Sequence, residues 1–424
     1  MKVQYSGQSI NSFSGINFVF GSLRHYGIPQ LVDKQLGARN VRAKFSYSDL
    51  IGNLWAVFFC GGDCAEDINE HLRPALSKVP GLKVANADTV LGALKQLATP
   101  VETYTSKQGV AHQFNIATGL NVLNVKLLKQ LNVLQSGHSY DFDYDNQIIA
   151  TEKYDAARTY KQVNGYQPGI ASIGEHIVYL ENRNGNSQAK YLQEETLERA
   201  YENLLQEGIT INRSRMDCAS YQKKVVEVVE KYSRLFYIRA MRSEDMLEKI
   251  KAVDQWETVK IGHQQYQVSS MEFTPFKGER AYRLVVQREK IKDGQTDLFT
   301  GEFKYRSILT NDHTSTDQQV IEYYNQRGAQ EIIHDEMNND FGWKNLPFSF
   351  MNENTVFMLA MAMCRAIYKA LIKSYSKKLP FLKDNFRLKK FIFRFISVSG
   401  KWIKRGRQDI LKLFTDKPYH RLIT

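Results

Sequence analysis

Tyr324, Arg327, Glu331 and Asn338 lie in one stretch that begins Tyr323-Tyr324-Asn325-Gln326-Arg327-Gly328-Ala329-Gln330-Glu331 and runs on through His334 and Asp335. On a single helix turning about 100° per residue, the four polar groups share about 60° of arc. Ile321, Ala329, Ile332, Ile333 and Met337 take the rest of the surface. A phenol, a guanidinium and a carboxylate beside a core-facing arc can grip an anion or ligate a cation at an edge. The same spacing also describes a surface helix with an Arg/Glu pair at i,i+4.

More carboxylates stand upstream. Residues 140–145 alternate with period two, which predicts a strand with aromatics on one face and Asp141, Asp143 and Asp145 on the other. Like charges repeating every ~7 Å repel unless water or a cation separates them. That face is therefore an acidic solvent face or, if another element roofs it, a site for Mg²⁺ or Mn²⁺, hard ions that suit carboxylate oxygen. Asp217 ends a second strand, 209–216, where it is either a helix N-cap or a further ligand.

The chain has 424 residues, enough for two or three domains. Its net charge of +12 is concentrated at one end, because residues 377–424 hold 14 Lys and Arg against 3 Asp and Glu. A basic tail on a near-neutral body points to a polyanion partner. Cys60, Cys64, Cys218 and Cys364 lack the second pair or nearby histidine that a tetrahedral zinc site needs, so they read as reduced thiols. No secretory signal opens the chain. The apolar run 355–364 is too short to span a bilayer before Arg365 and reads as a buried helix.

The elements that must position these residues follow in order. Residues 1–135 read as helical, with apolar runs at 50–60 and 88–97 and a helix over 112–131, a pattern that suits a DNA-binding module. Strands at 140–145, 170–173, 176–180, 209–216 and 235–239 alternate with helices at 192–205 and 221–232, which predicts a largely parallel sheet carrying ligands at strand ends. From 251 to 303 the helical pattern gives way to strands, an all-β insertion. A strand at 305–309 leads into the polar-striped helix, expected to start near 315 and run unbroken. In the tail, Lys389, Lys390, Arg394, Lys404, Arg405 and Arg407 alternate with aromatics, which suits a helix packed on the core with its charged face toward phosphates.

Taken together, Asp145 at one strand end, Asp217 at another and Glu331 on a helix beyond a β insertion resemble the DDE transposases of bacterial insertion sequences. Within them the resemblance is to the hairpin-forming, cut-and-paste branch, whose third acid stands in a Tyr-x2-Arg-x3-Glu-x6-Lys signature. Tyr324, Arg327 and Glu331 match it in spacing, and Asn338 stands where the lysine belongs. The surroundings of Asp217 (Arg215-Met216-Asp217-Cys218-Ala219) fit better than those of Asp145, which continues Asn146-Gln147.

The resemblance implies an α/β fold with a ribonuclease H-like core at 136–250 and 304–376. It places a helical DNA-binding domain at 1–135, the all-β insertion at 251–303 and a basic helical tail at 377–424. It implies catalytic Asp145, Asp217 and Glu331 holding Mg²⁺, with Mn²⁺ able to substitute and Asp143 as a further metal ligand. Two ions would activate water or a DNA 3′-hydroxyl for in-line attack. Tyr324 and Arg327 would grip the adjacent phosphate, and Trp256 would stack on an extruded base. The neutral amide of Asn338 gives a weaker phosphate contact, with Lys344 or a tail lysine as substitute. The implied partners are double-stranded DNA, as element ends and target, and a second copy in a synaptic homodimer, with no membrane. The implied location is cytoplasmic, on the nucleoid. Two other functions fit the same residues: a DNA-binding protein descended from a transposase that has lost catalysis, and a metal-dependent nuclease that does not transfer strands.

Overall fold

The computed structural model describes residues 1–4, 7, 9–40, 42–278, 280–291 and 302–423. Residues 292–301 of the expected insertion lie outside the described residues.

The strands in chain order are β1 (Glu102–Thr105), β2 (Ala111–Asn115), β3 (Ser139–Asn146), β4 (Ile149–Ala150), β5 (Ala157–Arg158), β6 (Asn164–Tyr166), β7 (Gly169–Ile173) and β8 (His176–Arg183). They continue with β9 (Thr210–Met216), β10 (Ser233–Arg239), β11 (Glu257–Ile261), β12 (Gln264–Phe273), β13 (Tyr282–Lys290), β14 (Phe303–Thr310), β15 (Gly400–Arg405) and β16 (Gln408–Leu413). Eleven of them form one mixed sheet in the order β1-β2-β8-β7-β3-β9-β10-β14-β13-β12-β11. β4, β6 and β5 make a small separate sheet.

The strand over 140–145 forms where the period-two pattern places it, with Phe142 and Tyr144 fully buried beneath its acidic face. The sheet as a whole is not largely parallel. Only β3–β9 and β9–β10 pair in parallel, and the other pairs along the order are antiparallel. Part of the reason is local: β7 and β8 are joined by the tight turn at Gly174 (φ +58°), and β11 to β14 pair in succession as an antiparallel meander. That meander is not a detached insertion, because β14 pairs with both β10 and β13 and carries the central sheet outward.

The N-terminal segment departs from expectation in two ways. It carries β1 and β2, and residues 112–115 join the sheet beside β8, so the helix expected over 112–131 begins at Thr118. Nor does it stand apart: Trp55, Leu127, Tyr144 and Met358 belong to one continuous core, and Trp55 Nε1 donates to the Ala360 carbonyl at 2.8 Å. The long helix Met351–Ser376 is central to that core. By length and composition it is apolar enough to cross a membrane, yet 94% of its most apolar window is buried within the protein. Its charged residues Arg365 and Lys369 are buried too, and both bond to Glu336.

The tail is not uniformly helical. A short helix at Leu388–Phe391 runs into a π-helical turn at Ile392–Ile396, and a hairpin of β15 and β16 follows. Arg405 pairs with Gln408 across a two-residue turn whose first residue, Gly406, has φ +63°, the backbone a hairpin turn needs there.

Candidate active site at the strand ends

Directly paired residues of adjacent strands share a face, so register fixes what each carboxylate of β3 meets. Asp141 pairs with Arg213 and Asp143 with Arg215. Arg213 donates to both oxygens of Asp141, at 2.9 and 2.5 Å. Arg215 donates to both oxygens of Asp143 at 2.7 Å each, and both residues are buried. Tyr323 roofs the two rows: its carbonyl accepts from Arg215 at 2.8 Å, and the two guanidinium groups lie 3.9 and 4.5 Å from its ring centroid. The first two acids of this face are therefore each met by an arginine. Asp143, expected among the metal ligands, is held by Arg215.

One residue beyond the last ladder partners, Tyr144 and Met216, the pattern changes. Asp145 comes beside Asp217, acid against acid, and β10 brings Arg239 into the same row after Ile238, which pairs with Met216. Burial, and then the charge of Asp145, raise the Asp217 carboxyl above the usual range, with Arg327 opposing. Asp217 Oδ1 also accepts from the Ala219 amide at 3.0 Å, so it caps the Cys218–Ser220 turn as well as facing Asp145. Asp145 accepts from the Asn146 amide at 2.9 Å and from Arg327 Nη1 at 3.0 Å.

The helix that supplies Arg327 and Glu331 is broken. It comprises Asp317–Asn325, a 3₁₀ turn at Gln326–Gly328, and Ala329–Asp340. The first part starts at a capping box, Thr316 with Gln319. The break tightens the turn at Arg327, and the four polar groups differ in burial, with Arg327 and Asn338 half-buried. Tyr324 is buried, and its hydroxyl donates to the Met216 carbonyl at 3.2 Å. Glu331 stands exposed in the first turn of the second part. His334, one turn on, senses the charges of Asp145, Arg327 and Glu331, and burial lowers its pKa. The second part is anchored from below by Gln330 to Ser172 Oγ at 3.1 Å and by Glu336, which accepts from Arg365 at 2.8 and 2.5 Å and from Lys369 at 3.0 Å.

The remaining candidates are dispersed. Asn338 lines a cavity with Lys389. Lys344 is exposed. Trp256 is partly buried: its Nε1 donates to the Val253 carbonyl at 2.9 Å, and Arg288 covers the ring at 3.9 Å. Lys390 and Arg394 flank Phe393, while Lys404, Arg405 and Arg407 project from the hairpin end.

Sequence reasoning missed Arg213, Arg215 and Arg239. The signal was present, since Arg213-x-Arg215-x-Asp217 repeats the spacing of Asp141-x-Asp143-x-Asp145 with opposite charge in the first two places. The donor types suit a hard divalent cation: two adjacent carboxylates at strand ends, one with its pKa raised by burial and then by the other's charge, and a third carboxylate, Glu331, in the first turn of the helix that follows Arg327. Here the Arg327 guanidinium provides the positive charge on Asp145. Among the described residues, the trio of ligand atoms lying within 4.8 Å of one another is Asp63, Cys64 and Asp67. There Asp67 accepts from the backbone amides of Asp63 and Cys64, which closes a local turn.

The family described as Transposase DDE domain group 1 matches residues 1–424. None of the curated proteins matches this sequence. Among solved structures, one described as the cryo-EM structure of a piggyBac transposase synaptic complex with hairpin DNA is similar over 90% of this chain and 78% of that chain, with 12% identity and a TM-score of 0.44.

Proposed function

This chain belongs to the DDE transposase domain family, group 1, and we propose that it cuts DNA at the inverted-repeat ends of its own element and joins the 3′-hydroxyl ends to target DNA. The observation that carries this reading is the row where Asp145 meets Asp217. Two strands answer acid with arginine twice and then set acid beside acid. Two carboxylates side by side repel, and the positive charge that reaches them here comes from Arg327, which pairs with Asp145 at 3.0 Å.

Asp145, Asp217 and Glu331 would hold divalent cations, Mg²⁺ or Mn²⁺. When bound there, such ions supply activation of a water or 3′-hydroxyl and stabilisation of the leaving oxygen. The protein's own part is positional. Arg327 lies beside the acids, Arg239 follows Ile238 in the row next to Asp217, and the two would set a positive field for the phosphate that flanks the cut. Tyr324, tied to the Met216 carbonyl, fixes the height of Arg327 over the strand end. Arg327, now on Asp145, would turn to the phosphate of bound DNA, where a guanidinium can make a forked contact.

The central strands β8-β7-β3-β9-β10, three antiparallel and then two added in parallel, support a ribonuclease H-like core. The basic tail would hold duplex DNA, a second copy would complete a synaptic dimer, and the work would be done on the nucleoid in the cytoplasm. Incubation with Mg²⁺ or Mn²⁺ and DNA carrying the repeats that flank the gene tests the proposal. Hairpinned ends and strand-transfer products are expected. Nicks alone would make the protein a nuclease, and retarded but uncut DNA would make it a binding protein.

A further inference from the structure

A cavity of about 520 Å³ lies two turns beyond Glu331 on the same helix, with Asn338, Gly62, Lys389 and Phe393 among its walls. Two turns of continuous helix separate the acid from the amide by ~10 Å along the axis. The Asn338 side chain makes no hydrogen bond among the described residues. Phe393 is 68% exposed, although its neighbours Phe391 and Phe395 are fully buried. It sits on the π-helical turn Ile392–Ile396. Inserting a residue into a turn rotates the side chains that follow, and such turns recur at functional sites.

The surroundings of the ring are cationic. Lys390 Nζ and the Arg394 guanidinium each lie 5.9 Å from its centroid, and Lys389 lines the cavity beneath. The tail is fixed to the acid-bearing helix by Arg387, which donates to Asp340 at 2.8 Å and to Asp335 at 2.7 Å. The ring therefore holds a set position relative to Glu331. An exposed aromatic with two cations near it and an open cavity at its foot is the arrangement by which proteins take up single-stranded nucleic acid: the base stacks and the phosphates are neutralised. Trp256 is poorly placed for that task, because Arg288 covers its face and also lies 4.3 Å from the Phe303 ring centroid.

We propose that Phe393 is a stacking platform for an unpaired nucleotide of the DNA strand leaving the strand-end acids, with Lys389 and Asn338 holding its phosphate in the cavity. The inference rests on the transposase reading for the source of the strand, but its test does not require cutting. Without divalent metal, the full chain is titrated with a fluorescein-labelled single-stranded oligothymidylate carrying one 2-aminopurine, and separately with a blunt duplex of equal length. Phe393→Ala is expected to weaken single-strand binding about tenfold, the scale of one base–aromatic stack, and to relieve the quenching of 2-aminopurine. Duplex binding should be unchanged, and Phe393→Trp should restore both single-strand signals. Equal single-strand binding by wild type and Phe393→Ala would overturn the proposal, as would an equal loss on single strand and duplex. If these shifts appear while DNA is never cut, the catalytic reading fails and the platform stands.

Discussion

Replacing Asp143 and Asp145 separately by asparagine should have opposite consequences, although the two residues lie two apart on one face of one strand. Asp143→Asn leaves Arg215 buried without the charge that both of its donors now meet at 2.7 Å. Removing one member of a buried, bidentate pair costs about 3 kcal/mol or more. Part of that pair's electrostatic worth is already offset, because burial raises the Asp143 carboxyl even with Arg215 against it. Asp145→Asn removes one half-buried ion pair, to Arg327 at 3.0 Å, and relieves the repulsion with Asp217. Its cost is about 1 kcal/mol or less. Urea denaturation of both variants, with Mn²⁺ binding by calorimetry at a temperature where both are folded, separates the roles. Asp143→Asn should shift the midpoint strongly and keep cation binding, and Asp145→Asn should do the reverse. A stable Asp143→Asn protein that no longer binds Mn²⁺ would refute the reasoning and make Asp143 the ligand.

Other consequences are also measurable. Burial pushes the Glu336 carboxyl up, but Arg365 and Lys369 outweigh it and hold the group below the usual range. A depressed carboxyl contributes stability above its unfolded pKa of about 4.3 and loses it as pH falls through the folded value. Glu336→Gln should therefore flatten the acid limb of a stability–pH profile and lower stability at neutral pH by about 3 kcal/mol, leaving two cations buried; an unchanged acid limb would count against the ion-pair network. Replacing Lys404, Arg405 and Arg407 together by alanine should reduce the salt slope of duplex binding by about 0.9 for each phosphate that is no longer neutralised, and an unchanged slope would remove the hairpin from the DNA surface. Gly406→Val should destabilise the hairpin, because φ +63° is strained for a β-branched residue; full retention of duplex affinity by that variant would show that the hairpin's shape is not used.

The parts of the site that depend on local pattern were legible in the sequence. The period-two run at 140–145 gave the strand, its buried aromatics and its acids, and the spacing of Tyr324, Arg327 and Glu331 marked the helix beyond the β meander. What depends on pairing between distant segments was not legible. Nothing in 112–115 itself shows that it lies against β8, because Phe114 reads equally as the start of the leucine-rich helix that follows. The matching of Asp141 and Asp143 to arginines of β9 is a fact of register, and the run of acids alone does not show it. The break at Gln326–Gly328 carries no proline to announce it, and the bond from Arg327 to Asp145 again joins distant segments. In the tail, regularly spaced aromatics mimic a helix up to Phe395, and the two-residue turn Gly406-Arg407 between alternating segments is the local sign of a hairpin.

The most direct test compares wild type with Glu331→Gln on DNA bearing the repeats that flank the gene, in Mg²⁺ or Mn²⁺, with cutting and binding followed in the same samples. Wild type should release hairpinned ends, and Glu331→Gln should bind the DNA as tightly and cut nothing. Cutting that survives Glu331→Gln would contradict the assignment of Asp145, Asp217 and Glu331 as one cation-holding site.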